Sequence, residues 1–119
     1  MIVGMLSISS AVRYFLYRKP TDMRCGIYSL AGLVINELGG DPRSGDVYIF
    51  LNKRANQVRM LQWDRDGFAM YVKKLEAGTF EWPKGADNRI TSRQLTLLME
   101  GVVLKSVRLR KRYTPLKTA

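Results

Sequence analysis

The residues best equipped for chemistry lie between Met60 and Glu76, in the stretch MLQWDRDGFAMYVKKLE. Asp64 and Asp66 are two carboxylates two positions apart, a pair of the kind that can hold Mg²⁺ for phosphodiester cleavage. Such a site needs acids converging from separate elements, with room for substrate between them. Here both acids fall in one Asp-Arg-Asp-Gly turn, where carboxylates bond the turn backbone and Gly67 is free to take positive φ. Glu76, the nearest other acid, falls at the far end of the returning strand, roughly 25 Å away at about 3.3 Å per residue. The stretch reads as a β-hairpin, with a metal-dependent nuclease using Asp64 and Asp66 as the weaker reading.

The chain has no histidine and one cysteine, Cys25. That removes the commonest general base, the Ser-His and Cys-His pairs and most zinc sites. Cys25 stands beside a predicted helix start, but without a neighbouring base it reads as an inert or half-buried thiol. A single cysteine forms no internal disulfide, which fits a reducing compartment. The glycines do not assemble a phosphate loop of the GxxxxGK type. The expectation is a non-enzyme without metal or cofactor.

Charge gives the stronger signal. Twenty Lys and Arg stand against ten Asp and Glu, a formal +10 with a pI near 10.1. A surplus of that size attracts polyanions through its summed field and the release of their counterions. The candidate phosphate contacts are Arg24, the loop residues Lys53 and Arg54, Arg65 at the hairpin tip, and Lys73. Beyond Val103 come Lys105, Arg108, Arg110, Lys111, Arg112 and Lys117 with no acid among them. That run reads as a basic arm on DNA or a tail recruited to an acidic partner. Strand alternation puts Leu61, Trp63, Phe68, Met70 and Val72 on one hairpin face, expected to be core. Met60, Gln62, Ala69, Tyr71 and Lys73 take the other, where Met60 and Tyr71 are candidate partner contacts.

The elements that must carry these residues follow from pattern. At 119 residues, 46% of them hydrophobic, the chain suits one globular domain. Val12–Tyr17 reads as a first strand, closed by Lys19-Pro20. Thr21 or Asp22 caps a helix whose apolar positions are Ile27, Leu30, Ala31, Val34, Ile35 and Leu38, ended by Gly39-Gly40. Val47–Leu51 is an unbroken apolar run suited to a central strand. Val58–Trp63 and Phe68–Leu75 form the hairpin, and Thr79–Trp82 adds a strand before Pro83. Thr91-Ser92-Arg93-Gln94 has the form of a capping box for a last helix bearing Leu95, Leu98, Met99 and Val102. The expected fold is α+β, an antiparallel meander of about four to five strands on two helices. Residues 1–104 form the domain, with 1–7 a short extension, and 105–119 the basic tail. No export signal is evident.

The order RYFLY, TDMR, SGDVYIFLNKR, WDRDGF and KKLEAGTFEWP resembles the TnpB accessory-protein family of the sixty-sixth insertion-sequence group, also described as Orf-two-like. The likeness covers roughly residues 8 to 100, in the wording of the version carried by Bacteroides-type bacteria. It implies a non-catalytic factor for transposition, located in the bacterial cytoplasm or at the nucleoid. The implied partners are a DDE transposase, a second small protein of the same element, and DNA. Arg24, Arg54 and Lys73 match the family pattern, whereas Cys25 stands where the pattern calls for a basic residue. Two functions follow as expectations: a factor binding transposase, element DNA or both, or a pure protein-interaction module for an acidic transposase surface.

Overall fold

The computed structural model describes residues 8–104. The expected extension at 1–7 and tail at 105–119 lie outside the described residues, as do Arg108, Arg110, Lys111 and Arg112. The elements run β1 (Tyr14–Leu16), α1 (Ile27–Asn36), β2 (Val47–Leu51), β3 (Gln57–Asp64), β4 (Gly67–Lys74), β5 (Arg89–Ile90) and α2 (Ser92–Glu100). They build one five-stranded sheet in the order β4-β3-β2-β1-β5. The α+β class holds, and β2-β3-β4 is the expected antiparallel meander. β1, however, pairs parallel with β2, Tyr14 opposite Val47 and Leu16 opposite Ile49, because α1 carries the chain back across the sheet.

Why β2 sits in the middle is written in its composition. All five of its residues, VYIFL, are buried, so both faces of this strand meet a core. Tyr48 and Phe50 face α1 and pack with Leu30, Ala31, Val34 and Leu61. Val47, Ile49 and Leu51 face the other way and pack with Leu16, Val58, Met60, Phe80, Leu95 and Leu98. The second cluster lies beneath α2 and the 80–82 segment, making three layers. Met60 therefore sits in the core at 0% exposure, which overturns its expected place on an outer sheet face. Tyr71 is half-buried against the same cluster.

Three further expectations shift. The first helix begins at Ile27, capped by Gly26 without a side-chain bond, because Asp22 instead closes its own turn: its carboxylate accepts from the Arg24 N–H at 2.9 Å. Ile35, assigned to the buried stripe, is 55% exposed, since a helix of ten residues buries only Leu30, Ala31 and Val34. Thr79–Trp82 is not a strand. Thr79 makes a single bridge to Val103, and the Phe80 N–H goes to the Ala55 carbonyl. The fifth strand is Arg89–Ile90, paired antiparallel with β1. At the other end of the chain the capping box is present in full: Thr91 Oγ1 accepts from the Gln94 N–H, and Gln94 Oε1 accepts from the Thr91 N–H.

Candidate nucleic-acid interface

Parallel pairing of β1 and β2 decides where the cations go. Both strands end at the same edge of the sheet, so the β1–α1 loop lies beside the β2–β3 loop; the Thr21 N–H donates to the Leu51 carbonyl at 2.8 Å. β4 returns to that edge too, with Lys73 opposite Val58 and Lys74 opposite Gln57. Arg24, Lys53, Arg54 and Lys73 are therefore brought together on one rim, and all four are exposed. Arg65 is not among them. It tips the hairpin at the opposite end of an eight-residue strand, roughly 25 Å away at about 3.3 Å per residue.

The loop bearing Lys53 and Arg54 is held from within. Asn52 Oδ1 accepts from the N–H groups of Asn56 and Gln57 at 3.0 and 2.9 Å, and Asn52 Nδ2 donates to Asn56 Oδ1 at 2.6 Å. The Asn52 carbonyl accepts from the Ala55 N–H, and Ala55 takes a left-handed φ of 55°. Four bonds on one asparagine present the two cations on a fixed platform rather than a loose loop.

Arg24 is restrained differently. Its guanidinium grips Asp22 through Nε and Nη2, the shortest contact being 2.6 Å. That hydrogen bonding pulls the Asp22 carboxyl down to about 2 and raises Arg24. The Arg24 charge is thereby partly answered by its own loop, whereas Lys53, Arg54, Lys73 and Lys74 form no ion pair among the described residues.

Sequence reasoning missed two residues of this rim. Lys74 follows Lys73 on β4 and is equally exposed. Arg59 lies on the α1 face of β3, where its Nη1 donates to the Cys25 carbonyl at 2.7 Å. It ties β3 to the loop carrying Arg24. An arginine at a strand position shared with Leu61 and Trp63 was the available signal.

The far end has its own arrangement. The two-residue turn is centred on Arg65, which takes φ 62°, and the Asp66 N–H donates to the Asp64 carbonyl at 2.7 Å. Positive φ was expected at Gly67, which does not adopt it. Trp63, expected in the core, is half-buried: its ring meets Phe68 edge-on at 5.0 Å and carries the Arg43 guanidinium at 5.2 Å. Val72, expected in the core, is 47% exposed, whereas Phe68 and Met70 on the same strand pack against the α1 cluster. Nearby, Arg13 binds Asp46 through two parallel bonds of 3.0 and 2.8 Å, with Ser44 Oγ donating to the same carboxylate. Among the described residues no group of three or more His, Cys, Asp or Glu could hold a metal ion. Nor is any helix among them long and apolar enough to cross a membrane.

The described residues thus form a small five-stranded sheet with exposed cations gathered at the loops of one end. The family model described as IS66 Orf2 like protein matches residues 12–109, and this chain belongs to that family, the accessory proteins of IS66 transposition. Two similar proteins come from Sinorhizobium fredii, strain NGR234. The uncharacterized protein y4jC is 31% identical over 117 residues, covering 97% of this chain and all of its own. The uncharacterized protein y4hO is 32% identical over 100 residues, covering 82% of this chain and 87% of its own. No solved structure matches.

Proposed function

We propose that the protein is a non-catalytic accessory factor that holds element DNA by its phosphates during IS66 transposition. The observation that carries this reading is the convergence of Lys53 and Arg54, on a loop fixed by Asn52, with Lys73 and Lys74 at the end of β4, on one rim of the sheet. Such cations fix position on a duplex and carry no sequence information themselves. Arg24 adds to the rim when a phosphate displaces Asp22, and Arg65 makes a separate contact. Arg108, Arg110, Lys111 and Arg112 supply further sequence-independent charge. The DDE transposase and the second small protein of the element are the protein partners.

The test is binding of purified protein to labelled element-end DNA and to a scrambled duplex across a salt series. Binding to both, steeply weakened by salt, supports phosphate holding; a preference for the element end adds base readout. No binding at physiological salt, together with a stable complex with the transposase, favours a pure interaction module, with the half-buried Tyr71 among its contacts.

A further inference from the structure

β4 is an edge strand, and no described strand pairs with its outer side. It is eight residues long, carries no proline, and is mostly apolar up to Lys73. Which of its backbone groups face outward follows from the ladder. The Leu75 N–H donates to the Asn56 carbonyl at 2.7 Å, so odd-numbered residues bond inward to β3. By alternation the N–H and C=O groups of Phe68, Met70, Val72 and Lys74 point out of the sheet. An exposed row of this kind is a template for another strand.

The strand is also polarised. It leaves the turn holding Asp64 and Asp66 and ends on Lys73 and Lys74, all four exposed. We infer that β4 pairs antiparallel with β4 of a second copy of this chain, joining two five-stranded sheets into one. Antiparallel pairing sets the lysine end of each copy against the acidic turn of the other, whereas parallel pairing would stack like charges. The best register places Met70 on the two-fold axis. It sets Val72 opposite the second copy's Phe68, Tyr71 opposite its Ala69, and Lys74 opposite its Asp66. Val72, 47% exposed in the single chain, then gains an apolar neighbour, and a large ring faces a small side chain. The interface is isologous, so it closes at two copies.

Sedimentation equilibrium across a dilution series tests this at low ionic strength. The expected result is a dimer. Val72→Pro removes one outward donor without touching the β3 ladder, a placement edge strands tolerate, and should leave a monomer. Should that variant fail to fold, a charge exchange still decides the matter. Asp66→Lys alone and Lys74→Asp alone each weaken the dimer, and the two together restore it. Within one chain these residues sit at opposite ends of β4, so rescue can arise only between copies. Hydrogen exchange adds a second readout: the amides of Phe68, Met70, Val72 and Lys74 slow in the dimer and speed on dilution. A monomer at every concentration overturns the proposal. So does slow exchange of those four amides in a monomer, which would assign the edge to residues 1–7 or 105–119 of the same chain. A dimer unaffected by Val72→Pro and by the charge exchange overturns it as well.

Discussion

Asp22 and Arg24 form an exposed ion pair, the Arg24 Nη2 lying 2.6 Å from the Asp22 carboxylate. The carboxyl lies at about 2, lowered by the guanidinium hydrogen bonds, so its contribution to stability is present above the ordinary carboxylate range and is lost as pH falls through about 2. A carboxylate NMR titration should place the Asp22 midpoint near that value. A midpoint in the ordinary range would mean that Arg24 is free to bind phosphate at all times. Arg65 holds a left-handed φ of 62° that costs a non-glycine residue roughly 1 kcal/mol. Arg65→Gly should therefore raise the urea midpoint, by about 1 kcal/mol in stability. Lower stability instead would show that the arginine side chain makes a compensating contact. Cation positions were legible from residue type, since loops collect charge. The left-handed arginine was not, because a glycine two residues on offered the cheaper solution on paper. Asp22 was legible as a helix opener, yet it closes a turn of its own four residues earlier than the true cap.

Elements whose pattern was unambiguous came through: the apolar run of β2, the hairpin, and the capping box of α2. Each combines several local signals that agree with its tertiary surroundings. β5 was not legible, because a two-residue strand has no periodicity to detect; it exists through its pairing with β1 and the Asn88 bonds to Leu16. The parallel β1–β2 pair was equally hidden, since strand direction depends on where α1 returns the chain. That hidden pairing is what assembles the rim, which explains why the sequence showed the cations on separate elements and not as one group. Met60 was misplaced for a related reason: alternation gives two faces, and only a second covering layer makes both of them core. Two measurements belong at this scale. Thr91→Ala should cost about 1 kcal/mol by thermal or chemical unfolding, as loss of a helix cap does. A neutral effect would mean that α2 is set by Leu95 and Leu98 packing alone. Asn52→Ala orphans two backbone N–H groups in the β2–β3 loop and should cost about 1 to 3 kcal/mol. Wild-type stability in that variant would show that the loop is not held from within.

Across the whole molecule the charge is unevenly shared. Six of the twenty Lys and Arg fall in residues 105–119 without an acid, while the remaining surplus is concentrated by the fold at one sheet edge. The family, the charge and the place of Arg65 at the hairpin tip were legible in the sequence; the gathering of Arg24, Lys53, Arg54 and Lys73 on one rim was not. The most direct test of the account compares the salt dependence of duplex binding for wild type, for Lys53→Ala with Arg54→Ala, and for Arg59→Met. The account predicts that the loop pair lowers the slope of log affinity against log salt by about 1.8, close to 0.9 per lost phosphate contact, for every duplex alike. Arg59→Met should weaken binding with little change in slope, because it only positions the Arg24 loop. An unchanged slope and affinity in the loop pair would contradict the assignment of this rim to DNA.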